Sequence, residues 1–256
     1  NPDFDVLYWV GCAASYDRRI QRVARAVVQL LYHAQVNFAV LGPEERCTGE
    51  SARRMGDEFL FQELAATNLA TLQQHAVKRI VTHCPHCLNS LTNDYSQFGG
   101  KFEVLHHTQL LQELVQQGRL PAPAPAGQKN DQVTYHDPCY LARVGKISEP
   151  PRQLIQLTIS AGGNLQEMPR RREQTACCGA GGGRMWFDDP PDQRAGRDRI
   201  DEIVETGCQT VAVGCPFCLT MISDGLAASD ANIEVQDIAE LCLSALETSP
   251  IMNDAN

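Results

Sequence analysis

Arg79-Ile80-Val81-Thr82-His83-Cys84-Pro85-His86-Cys87-Leu88 and Thr210-Val211-Ala212-Val213-Gly214-Cys215-Pro216-Phe217-Cys218-Leu219 are one pattern written twice, 131 positions apart. Each copy opens with a short β-branched run, which reads as a buried strand, and passes directly into Cys-Pro-x-Cys. Proline there suits the first turn of a helix, where a missing N–H costs nothing. Working outward, the same shift pairs Phe102-Glu103-Val104 with Ile233-Glu234-Val235, and Leu110 with Leu241. A shift of 127 pairs Tyr8 with Tyr135, Cys12 with Cys139 and Asn37 with Asn164. Two constant offsets, separated by one four-residue insertion, identify an internal duplication.

Each copy alternates strands with helices. In the first, residues 5–10, 38–41, 78–82 and 102–105 read as strands, and 18–32, 52–74, 88–94 and 109–116 as helices. Ile20, Val23, Ala24, Val27, Leu30 and Leu31 recur at helical spacing and predict one buried stripe. In the second, strands are expected over 133–135, 165–168, 210–213 and 233–235. Alternation of this kind predicts an α/β protein of two homologous halves, each a small parallel sheet flanked by helices. The halves are expected over residues 1–117 and 133–256. Between them, 118–132 carries Pro121, Pro123 and Pro125 alternating with alanine, an extended linker that neither helix nor sheet tolerates.

Nine of the eleven cysteines follow the duplication. Cys47 lies 37 positions before Cys84, and Cys178 lies 37 before Cys215. Cys12 precedes Cys47 by 35, and Cys139 precedes Cys178 by 39. Loops leaving the carboxyl ends of parallel strands gather at one sheet edge. Cys12, Cys47, Cys84 and Cys87 can therefore meet above one sheet, and Cys139, Cys177, Cys178, Cys215 and Cys218 above the other. Thiolates in fours and fives hold soft metal ions or iron–sulfur clusters. Gly179, Gly181, Gly182 and Gly183 would let backbone approach sulfide closely; a flexible loop is the other reading. A dinucleotide fingerprint is rejected there, because Arg184 stands where glycine is needed and no strand ends just before Gly179. Zinc is the rival metal, bound by four thiolates or by three with one of His83, His86, His106 and His107. Five thiolates exceed the four that a structural zinc uses, which favours iron and sulfur in the second half.

Composition agrees with a reducing compartment. The cysteine count is odd and both C-x-x-C pairs follow predicted strands, and no signal peptide is expected. Hydrophobic residues make up 43% and charged residues 21%, as in an ordinary globular protein. A net charge of -9 argues against general nucleic-acid binding. Arg170-Arg171-Arg172 is the local exception, expected as a solvated or docking surface. No apolar stretch approaches the ~20 residues needed to span a bilayer. The abrupt opening at Asn1-Pro2-Asp3-Phe4, with no methionine, is expected of a piece of something longer.

The set Cys139, Cys177-Cys178-Gly179 and Cys215-x-x-Cys218 resembles the CCG domain, the cysteine-rich domain of heterodisulfide reductase catalytic subunits and related iron–sulfur oxidoreductases. The resemblance covers both halves, from about Val6 to Leu246. Arg46-Cys47-Thr48-Gly49-Glu50, Glu58-Phe59-Leu60-Phe61-Gln62-Glu63, His106-His107-Thr108-Gln109, Tyr135-His136-Asp137-Pro138-Cys139 and Gly181-Gly182-Gly183-Arg184-Met185-Trp186 are similar to membrane-linked members. Those members take electrons from electron-transfer flavoprotein towards quinone. Iron–sulfur subunits for lactate utilisation and glycerol oxidation are also related.

The family's five-cysteine motif implies a noncubane [4Fe-4S] cluster, matched here by Cys139, Cys177, Cys178, Cys215 and Cys218. In the first half Arg46 replaces one cysteine of the pair, which leaves Cys12, Cys47, Cys84 and Cys87 and implies a [4Fe-4S] cubane. Arg46 is expected either to offset cluster charge or to reach solvent. The resemblance implies an enzyme, an iron–sulfur oxidoreductase subunit between a flavoprotein or iron–sulfur donor and a quinone. The alternatives are disulfide reduction at the noncubane cluster and a zinc-stabilised binding module. The implied location is cytoplasmic, peripheral to the membrane through another subunit or a missing N-terminal region.

Around the ligands, His136 and Asp137 are candidates to feed protons or to hydrogen-bond a cluster, although Asp137 as a turn cap reads equally well. His106 and His107 are expected to be structural. Cys242, on an apolar face with Ile238, Leu241 and Leu246, and Cys208 are expected to pack. Trp186 and Phe187 are expected in the core.

Overall fold

The computed structural model describes residues 3–122, 132–160, 163–187, 189–190, 193–229 and 231–247. The first half runs β1 (Val6–Trp9), α1 (Gly11–Tyr16), α2 (Arg18–His33), β2 (Phe38–Ala39), α3 (Glu50–Arg54), α4 (Glu58–Gln74), β3 (Arg79–Thr82), α5 (Pro85–Asn89), β4 (Glu103–His106) and α6 (His107–Gln116). The second runs β5 (Gln132–Tyr135), α7 (Glu149–Thr158), β6 (Asn164–Gln166), α8 (Arg197–Glu205), β7 (Thr210–Val213), α9 (Pro216–Ala228), β8 (Glu234–Asp237) and α10 (Ile238–Glu247). All strand pairs are parallel, in the orders β2-β1-β3-β4 and β6-β5-β7-β8. The α/β class and the two equivalent sheets are as the duplication predicts. Most of the proline-rich stretch expected as a linker, residues 123–131, lies outside the described residues.

β1 is buried along its whole length, and β3, β5 and β7 are buried in all but their first residue, because both faces of each sheet are covered. Val6 and Tyr8 face one core cluster while Leu7 and Trp9 face another, as the two-residue period requires. The first of these clusters also receives Val133, Tyr135 and Ala212 from the second sheet. Between the sheets pack Val27, Leu30 and Leu31 of α2, Leu110 and Leu114 of α6, Leu154 and Ile155 of α7, and Ile238, Cys242 and Leu246 of α10. The two halves therefore share a core. The buried stripe of α2 is the predicted one, except that Ala26 takes the buried place expected for Ala24. Asp17 starts this helix by accepting the backbone N–H groups of Arg19 and Ile20. Leu30 is fully buried at the seam. Leu30→Ala is expected to cost about 2–5 kcal/mol, read in urea unfolding as a lower midpoint at unchanged slope.

Local departures have local causes. The helix expected over 52–74 is two, because Asp57 caps a new start by accepting the N–H of Leu60. The helix expected at 88 begins at Pro85 and passes into a π turn over Ser90–Asp94. Strands β2 and β6 end two residues earlier than expected. Trp186 and Phe187 are not core residues: they are 63% and 58% exposed, at the end of a short turn (Arg184–Trp186). In the basic triplet, Arg170 pairs with Glu202 and Asp198, and Arg172 with Glu149. That makes a balanced ion-pair surface rather than a cationic patch. Among the described residues no helix is long and apolar enough to cross a membrane.

Candidate metal centres

All eleven cysteines are free thiols. In the first half Cys12 sits in α1 just past β1, Cys84 caps α5, and Cys87 lies in the first turn of that helix behind Pro85. Cys47 comes in from the loop after β2, and its Sγ accepts the N–H of Gly49 at 3.4 Å. Cys12 hydrogen-bonds Cys47, and Cys84 hydrogen-bonds Cys87. The four thiols line one pocket with Gly11 and Thr48, whose Oγ1 is 3.9 Å from Cys87 Sγ. Gly11 has φ +80°, a backbone conformation that favours glycine, and lies in van der Waals reach of Cys87 Sγ.

Crowded thiols share protons unequally. The hydrogen bond from Cys12 lowers the Cys47 pKa, while Cys12 itself is raised. Metals bind thiolates, so such a set is predisposed to a cation. Glu45 fixes the floor: its carboxylate accepts the N–H of Val10 at 3.0 Å and of Gly11 at 2.5 Å. Burial raises its pKa to about 7 against those two bonds.

The second half gathers five thiols. Cys139 follows β5, Cys215 caps α9, Cys218 lies one turn in, and Cys177 and Cys178 arrive from the loop after β6. Cys218 Sγ is 3.3 Å from Cys178 Sγ, and Cys177 hydrogen-bonds both Cys139 and Cys178. The Cys139 bond, together with that of Cys178 and the N–H of Gly179 at 3.3 Å, pulls Cys177 well below an ordinary thiol. Gly179 is required by crowding: a Cβ would meet the backbone N of Gly196 at 3.0 Å. Gly181 and Gly182 face open space instead, with nothing within 4 Å of the corresponding position.

His136 is fully buried, and among the described residues neither of its ring nitrogens has a hydrogen-bond partner. Its donor atoms fall within 4.8 Å of those of Cys178 and Cys218. Burial, with the Arg199 charge behind it, drops its pKa to about 3, leaving a neutral imidazole with a free lone pair. A buried, unpartnered imidazole beside five thiols fits a metal centre. Asp137 points elsewhere. Its carboxylate grips Arg152 through two bonds at 2.8 and 2.7 Å and accepts the N–H of Arg172.

The other histidines divide. His83 Nδ1 is 2.8 Å from the Tyr8 hydroxyl, His107 is 3.1 Å from Asp237, and His106 bonds Thr108 and the Gly214 carbonyl. His83 also lines the pocket of the four thiols, and the last contact, from His106 to Gly214, stitches the halves together. His86 is different: it lies 3.2 Å from Glu50, its ring packs across the seam on Tyr140 and Phe217, and it feels Glu50 and the Cys215 thiol as electrostatic partners. Burial opposes its protonation, but these two partners outweigh burial and raise its pKa well above the usual value. Arg46 is exposed, held by its backbone N–H to Asn68. Cys242 packs in the shared core, and Cys208 is buried away from both centres. Sequence reasoning passed over Glu45 and Arg152; the only signal was an acidic residue beside Cys47 and a basic one in the helix after Cys139.

Residues 6–92 and 133–223 each match the cysteine-rich domain, CCG. The chain belongs to the CCG family. Among similar curated proteins, a probable iron-sulfur-binding oxidoreductase, FadF, of Bacillus subtilis is 42% identical over 241 residues, which is 93% of this chain and 34% of that protein. An EtfAB:quinone oxidoreductase of Syntrophomonas wolfei is 41% identical over 254 residues, 96% of this chain and 35% of that protein. One component of the dihydromethanophenazine:CoB–CoM heterodisulfide reductase of Methanosarcina barkeri is 34% identical over 251 residues, 96% of this chain and 60% of that component. This CCG chain thus spans about a third of the length of the first two relatives.

Proposed function

We propose that the chain is the cluster-bearing, electron-transferring part of an iron–sulfur oxidoreductase. The observation that supports it best is the convergence of nine free thiols from distant loops into a set of four that lines one pocket and a neighbouring set of five, with Pro216 and Phe217 of the second half lining the pocket of the first. Names of relatives spanning nearly all of this chain point the same way. In this reading Cys12, Cys47, Cys84 and Cys87 hold a [4Fe-4S] cubane, and Cys139, Cys177, Cys178, Cys215 and Cys218 hold a noncubane [4Fe-4S] cluster, with His136 beside it. Bound clusters supply one-electron steps. The residues fix the separation of the centres, exclude water and set potential through hydrogen bonds to sulfur.

The donor is a flavoprotein or iron–sulfur partner and the acceptor a quinone, as the EtfAB:quinone relative indicates. The protein works at the cytoplasmic face of a membrane through segments or subunits outside these residues, a location supported by a probable membrane-anchored ferredoxin, 40% identical, among its relatives. The five-thiol set and the heterodisulfide reductase relative favour one second reading, reduction of a disulfide. In it, two electrons and two protons convert one S–S bond into two thiols.

Anaerobic purification with iron and sulfide counting tests the reading. About eight irons and eight sulfides per chain are expected, with visible charge-transfer absorption. A colourless protein holding zinc and no acid-labile sulfide overturns it. Oxidation by a menaquinone analogue, against turnover of a small disulfide with reduced viologen, separates the two acceptors.

A further inference from the structure

His136 stands where the chain leaves β5, and the Ala212 carbonyl of β7 holds its backbone N–H at 3.0 Å. Its side chain is fully buried. Among the described residues it is the one buried histidine whose ring has neither a hydrogen bond nor an ion pair. Burying two ring nitrogens with nothing to bond them is unfavourable, so such a ring marks a place where a ligand belongs. Proton feeding, expected from the sequence, needs a hydrogen-bonded neighbour to pass the proton on, and the ring has none among the described residues.

The ring is placed against sulfur. One of its nitrogens and the Sγ atoms of Cys178 and Cys218 all lie within 4.8 Å of one another, the one such trio of histidine, cysteine or acidic donors among the described residues. The two sulfurs are 3.3 Å apart. Donors on one tetrahedral metal, at bond lengths of about 2.1 Å to nitrogen and 2.3 Å to sulfur, stand roughly 3.6–3.8 Å from each other. The trio is therefore spaced for a single metal atom. The duplication makes the feature one-sided: the shift of 127 that pairs Tyr8 with Tyr135 sets Trp9 opposite His136. An indole N–H donates a hydrogen bond but offers no lone pair to a metal.

We infer that His136 is a metal ligand of the second centre, binding the same iron as Cys178 and Cys218 and making the donor set five thiolates and one imidazole nitrogen. This rests on the reading that the second set of thiols holds an iron–sulfur cluster, and it names one more residue of that site. The bond uses the lone pair of a ring nitrogen, and no electron or proton changes hands.

The test is pulsed EPR of the anaerobically purified, cluster-loaded and reduced chain, prepared with unlabelled or ¹⁵N-labelled histidine, beside His136→Ala, His136→Leu and His86→Leu. The signal of the second centre is the one that Cys178→Ala lacks. In the wild type and in His86→Leu it is expected to carry the strong coupling of a directly bound nitrogen, with the ¹⁴N pattern replaced by the ¹⁵N one on labelling. Both His136 variants, at wild-type iron and sulfide, are expected to lose that coupling entirely. His86→Leu removes the other histidine beside the second set, so it assigns the coupling should the His136 variants fail to load. A wild-type signal without a directly bound nitrogen, or a coupling that survives in a loaded His136 variant or vanishes in His86→Leu, overturns the ligand assignment and leaves the two-cluster reading standing. Wild-type protein without iron and sulfide overturns that reading itself.

Discussion

Cys178→Ala is expected to leave the chain with about half its iron and sulfide, the first centre intact and the second lost. Cys178 is 5% exposed, its sulfur is 3.3 Å from Cys218, and it hydrogen-bonds Cys177, so it stands in the middle of the five-thiol set. Alanine supplies no donor to the centre. Cys242→Ala is the control. That thiol is as buried, but it packs among apolar side chains of the shared core. Its loss should lower stability slightly and leave the metal content unchanged. A Cys178→Ala protein that kept all its iron and the full EPR signal of the second centre would remove Cys178 from the ligand set.

The second large effect is expected at Arg152. Its guanidinium is 4% exposed, and it is clamped between Asp137, 1% exposed, and Glu167. Arg152→Ala would leave the buried Asp137 carboxylate with the Arg172 N–H as its remaining hydrogen bond among the described residues. Breaking a buried pair from one side costs about 3–5 kcal/mol. At roughly 2–4 °C per kcal/mol for a chain of this size, the unfolding midpoint should fall by about 10 °C. Removing both partners, Asp137→Ala with Arg152→Ala, should cost less than the two single changes added, because neither charge is then left alone. Additive losses in that cycle would mean that the pair does not interact. The consequence reaches the metal site: Asp137 also accepts the Thr175 hydroxyl through its carbonyl, which anchors the stretch of chain leading to Cys177 and Cys178. Iron retention in Arg152→Ala on mild heating is therefore expected to fail at the second centre first.

Both centres were legible because their determinants are short in sequence. A β-branched run leading into Cys-Pro-x-Cys specifies a strand, a turn and a capped helix within ten residues, and both copies fold that way. Where expectations missed, the deciding contact was equally local but of a kind that periodicity does not register. Asp57 cut one expected helix into two. Trp186 and Phe187 looked like core by hydrophobicity, and they are exposed at the end of a short turn that follows three glycines, where chain path and not side-chain type sets the burial. For His136 the position before Cys139 marked a candidate, but only its burial without a partner separates it from Asp137, whose charge is spent on Arg152.

From residue order alone came the duplication, the parallel α/β halves and the division of nine cysteines into a four and a five, since each depends on spacing and on backbone preferences spanning a few residues. The tertiary structure decided how the halves meet. Apolar faces of α2, α6, α7 and α10 close over one another, and the same meeting of the halves brings His86 against Phe217 and His106 to the Gly214 carbonyl, contacts between residues more than a hundred positions apart. Such contacts follow from the complementarity of two buried surfaces, which no local pattern encodes.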